Sequence, residues 1–241
     1  MGLFDSFSSD NKVKRLGKKL TEKFGPPENR GKAIEQLADI GTPEALSAML
    51  LRFTIISDSR ITDADEKSAV FHHLVDAGED SLGPLKDFLR QRTQVAWPLK
   101  VLSELLPADE VLALALEELT RLSKEYTRDP EKKVQLITWL VEHHPEADPR
   151  VAPALVPFLA EQSDDLKLVT ARGLLLHPDP ASQGPLVAAL VDEHQSARVR
   201  QEIAATLEQL AFNVEADRAR IEPALKDTPF VLDKAGLVKK R

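Results

Sequence analysis

Six histidines are the side chains best placed by type to hold a metal or move a proton, yet their spacing suits neither task. His72-His73 and His143-His144 are adjacent pairs, and neighbours on a helix point in different directions. No His-Glu-x-x-His occurs. His144 and His177 each precede a proline at a helix end, where an imidazole can bond free carbonyls and meet the helix dipole. Four carboxylates, Asp58, Asp63, Asp65 and Glu66, crowd one loop. A calcium loop needs a glycine turn and a terminal Glu at set spacing, which they lack. They are expected to solvate the loop and to charge the start of a helix over 63–77. The chain has no cysteine, so thiolate chemistry, disulfides and Cys-ligated zinc are excluded. No glycine-rich phosphate loop or nucleophile elbow appears. No metal and no cofactor are expected.

The cations are unevenly placed. Residues 1–23 hold Lys12, Lys14, Arg15, Lys18, Lys19 and Lys23 against Asp5, Asp10 and Glu22, and the chain ends in Lys239, Lys240 and Arg241. With an overall charge of −7, the body between these ends is acidic. An acidic body repels a phosphate backbone and argues against nucleic acid as a partner. Val13, Leu16, Leu20 and Phe24 share one face of the first helix, and the cations fill the rest. That helix is expected to bury its stripe on residues 28–40, and with its lysines still exposed it could also dock reversibly on an anionic membrane or an acidic partner. Any membrane association would be peripheral, because no stretch reaches the roughly 20 apolar residues of a span. Leu3, Phe4 and Phe7 precede the helix, and Met1-Gly2 to Ser6 fits a myristoylation pattern by chance. A cytoplasmic and bacterial protein is expected.

The elements that position these residues follow from a sixfold recurrence. Leu37, Leu74, Leu102, Leu140, Leu174 and Leu207 each close an apolar helix, 28 to 38 residues apart. That spacing suits stacked helix pairs. Breaks follow at Gly41-Thr42-Pro43, Gly78-Glu79-Asp80, Pro107-Ala108-Asp109, His144 to Pro149, His177 to Pro180 and Asn213. Thr42, Asp109, Asp148 and Asp179 are candidate caps for the helices after these breaks. Apolar residues recur at spacings of three and four, as in Val134, Ile137 and Val141. Such wide stripes bury against more than one neighbour. Aromatics are only 5% and period-two runs of β-branched residues are absent, so strands are not expected. The pattern predicts an all-α superhelix of about six helix pairs. Residues 1–10 form a flexible N-terminal segment, 11–226 the repeat domain, and 227–241 a cap with a basic tail.

Lys32 to Leu46, and Ala197 to Leu207 with its Val-Arg, Ala pair and Leu, resemble HEAT repeats of the phycobilisome-lyase type. The resemblance covers roughly residues 11–226. It implies a HEAT-like solenoid and a non-catalytic adaptor or scaffold, with a partner protein held on a concave face of inner helices. The residues it would offer there are Glu35, Asp39, Lys67, His72, Lys100, Glu104, Lys133, Arg172, Arg198, Gln201 and Glu208. Arg172, Arg198 and Arg200 could instead form salt bridges between repeats. Nothing marks the bilin pocket of the lyases. Deoxyhypusine hydroxylases share this architecture and bind iron through His-Glu dipeptides. This chain has the reverse order, Glu142-His143 and Glu193-His194, so that activity is not carried over. HEAT-like alkyl-purine DNA glycosylases supply the other comparison. Trp97 or Trp139 would be the aromatic and Asp39 or Glu104 the acid. Trp97 before Pro98, and Trp139 within an apolar run, read better as packing residues.

Overall fold

A computed structural model describes residues 3–125 and 127–241, with the side chains from residue 10 onward. Contacts divide the chain into two compact units, Met1–Val111 and Leu112–Arg241.

In the first unit, α1 (Leu3–Leu20), α3 (Pro43–Leu50) and α5 (Glu79–Gln91) alternate with α2 (Pro27–Ile40), α4 (Arg60–Asp76) and α6 (Ala96–Leu105). The inner helices stack in order, α2 on α4 and α4 on α6, and the outer helices likewise, α1 on α3 and α3 on α5. Val13, Leu16 and Leu20 of α1 are buried, so this helix spends its apolar stripe inside its own unit. α1 begins at Leu3, within the segment 1–10 expected to be flexible. Gly41 ends α2 at φ 62° and returns its N–H to the Leu37 carbonyl, while the Thr42 hydroxyl caps α3.

The second unit takes in most of α7 (Ala108–Leu122), followed by α8 (Glu131–His143), α9 (Val151–Leu155) and α10 (Asp164–Leu176). Then come α11 (Gln183–Leu190), α12 (Ala197–Leu210) and α13 (Arg218–Leu225). Inner helices α8, α10 and α12 pack in series. The all-α class and the helix-pair stacking agree with the repeat pattern. The caps agree only in part. Thr42 and Asp179 act as expected, but Asp109 lies inside the first turn of α7, and Asp148 holds the Arg150 amide ahead of α9. Serines cap the inner helices instead: Ser59, Ser163 and Ser196 each accept from the amide three residues on.

The expected loose tail is a β-hairpin, β1 (Phe230–Leu232) and β2 (Val238–Lys240). Asp233 makes the turn by accepting from the Ala235 and Leu237 amides at 2.8 and 2.9 Å. Gly236 supplies φ 79° there. Phe230 and Val238 are buried, and the Lys240 amide bonds the Glu208 carboxylate at 2.9 Å.

Candidate docking surface

One position of the repeat carries a cation in five of the six copies. Seven residues before each closing leucine stand Arg30, Lys67, Lys133, Lys167 and Arg200, with Val95 in the third copy. This position lies in the first turns of the inner helix and faces inward. Arg30, Lys67, Lys133 and Lys167 are buried, so Lys67 and Lys133 are not surface residues as the sequence suggested. Buried ammonium and guanidinium groups need partners, and these find them on α4 and on neighbouring loops.

In the first unit the partners form a network. Arg30 Nε and Arg52 Nε both donate to Glu66 Oε2, at 2.8 and 2.6 Å. Arg52 Nη2 reaches Asp63 at 2.7 Å, and Lys67 Nζ lies 2.7 Å from the other Asp63 oxygen. Arg30 Nη1 also holds the Glu22 and Gly25 carbonyls at 2.9 and 2.6 Å. Arg52 Nη1 holds the Ile55 carbonyl at 3.2 Å, and Asp63 accepts from the Ser57 amide at 2.8 Å. Burial alone would raise the Asp63 carboxyl, but the bonds from Lys67, Arg52 and Ser57 outweigh it and bring the pKa from 3.8 to about 2. Asp63 and Glu66 are therefore structural anions and do not solvate a loop. Their spacing from each other and from Lys67 on one helix face was the available signal. The long-range partners Arg30 and Arg52 were not readable from it.

Outside this network the six expected docking cations do stand at the surface. Lys12, Lys14, Arg15, Lys18 and Lys23 are exposed and Lys19 is half-buried. Among the described residues none of them makes an ion pair. Lys23 Nζ lies 5.4 Å from the centre of the Phe24 ring. Phe24 itself is exposed, so the expected apolar stripe of α1 stops at Leu20. The side chains of Leu3, Phe4 and Phe7 lie outside the described residues.

The expected inner-helix face is largely committed to internal contacts. Arg172 pairs with Glu202 at 3.1 Å and Arg198 with Asp165 at 3.2 Å, bridging successive repeats. Glu208 holds the hairpin. Lys100 lies 5.0 and 5.1 Å from the rings of Phe71 and Trp97. Glu35 lies 3.5 Å from His73, and His72 bonds the Ser68 carbonyl. Asp39, Glu104 and Gln201 are exposed. Trp97 stacks on Phe53, and Trp139 is buried against His143 and His144, which are packing roles.

His177 is buried and accepts from the Asp148 amide through Nδ1 at 3.0 Å. Burial pushes its pKa down, as does the neighbouring His144, while Asp148 opposes the shift. Arg150 in turn brings Asp148 to about 2. Among the described residues no group of three His, Asp or Glu side chains could hold a metal ion. A groove of about 520 Å³ runs between α7 and α9, lined by Leu116, Glu117, Thr120, Arg150 and Pro153 among others. Its arginine is engaged with Asp148. No described helix is long and apolar enough to cross a membrane.

No family model matches the chain, and no curated protein matches it. A solved structure, human deoxyhypusine hydroxylase in complex with glycerol, is similar at 18% identity. The match covers 94% of this chain and 96% of that one, with a TM-score of 0.37. The expectation of a non-catalytic adaptor is corrected on this finding, as is the reading that the chain is not an enzyme. The similar structure is that of an enzyme. A likeness of this size assigns no activity to the present chain.

Proposed function

We propose that the protein docks peripherally on an anionic lipid surface through the basic face of α1. The observation that carries this reading is the row of cations from Lys12 to Lys23. The row lies at the surface, without ion pairs among the described residues; five of its cations stand on α1, whose apolar side is already buried in its unit, and Lys23 follows the helix end. Packing fixes the row, so docking orders little backbone. Each lysine or arginine near an anionic bilayer contributes about 1 kcal/mol, falling off within a Debye length. The acidic remainder of the chain is repelled by the same surface, which orients the protein with α1 toward it. A cytoplasmic location and kinship with HEAT-repeat proteins belong to this proposal. The absence of cysteine and the helix-pair stacking support them.

Vesicle flotation tests it. The wild type is expected to float with vesicles containing phosphatidylserine and not with phosphatidylcholine alone. Lys14→Glu/Lys18→Glu should abolish flotation while leaving the melting temperature unchanged. Flotation indifferent to lipid charge, or retention by RNA in place of vesicles, would overturn the reading.

A further inference from the structure

Four large apolar side chains are conspicuously exposed among the described residues, and three of them lie in the first unit. Phe24 is 81% exposed, Ile56 67% and Ile61 77%. Single exposed apolar residues are ordinary, but these three share an anchorage. The Glu22 and Gly25 carbonyls that Arg30 holds bracket Phe24 in the chain. The Ile55 carbonyl held by Arg52 and the Ser57 amide held by Asp63 bracket Ile56. Ile61 stands in the first turn of α4, just after its cap Ser59. Glu66 joins the two arginines, so a single buried ionic network grips both loops.

Burying two guanidinium groups and two carboxylates is costly unless their geometry is well satisfied. Here that geometry fixes the backbone on either side of side chains that cover nothing in the protein. A loop free to move would fold Phe24 or Ile56 back onto the unit and remove apolar surface from water. The network prevents this. Lys23 precedes Phe24 in its loop and Arg60 precedes Ile61 at the start of α4, while Glu22 and Asp58 stand two residues from Phe24 and Ile56 respectively. Phe24 continues the chain directly from the basic row of α1.

We infer that Phe24, Ile56 and Ile61 form a pre-set insertion tip that enters the acyl boundary of an anionic bilayer. This deepens the proposed docking and rests on it. Lipid is the occupant favoured by charge: the tip continues a positive row, and a bilayer is the surface that is anionic outside and apolar beneath. The cations bring the tip to the headgroups, and the three side chains then give binding a part that salt does not screen.

The chain has no cysteine, so Phe24→Cys, Ile56→Cys and Ile61→Cys each take a single environment-sensitive nitrobenzoxadiazole label, with Val231→Cys on the hairpin as control. Vesicles of equal phosphatidylcholine and phosphatidylserine are the probe. Labels at 24, 56 and 61 are expected to brighten and shift to the blue, and the label at 231 to stay unchanged. Serine at each of the three sites should weaken salt-resistant binding by about tenfold without lowering the melting temperature. If the wild type floats but the labels stay dark, insertion is overturned and electrostatic docking stands. If the wild type does not float, the proposed docking fails and takes the tip with it. A dimer that the serines dissolve, with no response to lipid, would overturn insertion in favour of self-association.

Discussion

The two units place a cation at the same point of the repeat and use it differently. In the first, Arg30 joins Arg52, Glu66, Asp63 and Lys67 in a network that grips two loops. In the second, each cation reaches a single loop. Lys133 Nζ finds Glu161 at 2.5 Å, Lys167 Nζ finds Gln195 Oε1 at 2.6 Å, and Arg200 holds the Asp192 carbonyl at 3.1 Å. The partners of Lys133 and Lys167 both stand 28 residues on, just before the serine that caps the next inner helix. The difference lies in Arg52, a second guanidinium outside the repeat position that shares Glu66 with Arg30. A guanidinium presents a fork of donors and can hold a carboxylate and carbonyls at once, whereas an ammonium is a point charge that pairs with one group. The repeat position sets one cation on one loop in either unit, and Arg52 adds the second loop in the first unit.

This contrast can be broken most directly at its strongest member. Arg52→Met takes from Asp63 and Glu66 the guanidinium they share, leaving them Lys67 and Arg30 alone as charged partners, and is expected to cost about 3 kcal/mol. Lys167→Met removes a charge whose partner is a neutral amide, and the change should stay within about 1 kcal/mol. Urea denaturation of both variants decides the matter, and equal losses would erase the distinction between network and single tie. A second variant sharpens what closes the second unit. In Gly236→Ala a Cβ would meet the Glu215 Cβ at 2.6 Å at a φ of 79°. A loss of about 2 kcal/mol is expected, and an unchanged midpoint would mean that the hairpin turn bears no strain.

The smallest expected effect is a pH dependence that separates the units. His177 has its folded pKa below the unfolded 6.5, so the unfolded chain binds the proton more readily. Its contribution is intact above 6.5 and declines as pH falls toward the lowered folded value. Asp63 also titrates lower when folded, and its contribution is lost only as pH falls from its ordinary 3.8 toward about 2. Denaturation followed between about pH 7.5 and about 5.5 should therefore weaken the second unit first. His177→Gln should flatten that slope, and a slope unchanged by this substitution would assign the effect elsewhere.

Much of the scaffold could be read without coordinates. Helices of the expected type occur in the expected order because apolar spacing of three and four admits one buried face, and Gly41, Gly78 and the prolines stop them. The hairpin at 230–240 escaped because three-residue strands carry too short an alternation to register. The turn signal lay in Asp233-Lys234-Ala235-Gly236, whose glycine needs positive φ. The cations of the proposed docking were legible as a basic run, but the proposed tip was not. Phe24 looked like the next member of an apolar stripe, and Ile56 and Ile61 like ordinary loop residues.

The sequence by itself determined the all-α class, the helix-pair repeat, the cation recurring before five of the six closing leucines and the basic face of α1. All of these are local or periodic, and covalent order specifies them. Tertiary structure decided which cations are buried, which carboxylates they meet and which apolar side chains remain outside. Arg30 and Glu66 stand 36 residues apart, and Arg52 and Glu66 stand 14 apart. Their meeting depends on how α2, α4 and the turn over Leu51–Thr54 pack. The exposure of Phe24 is likewise set by bonds to its neighbours' backbone, which no pattern of side chains along the chain can express.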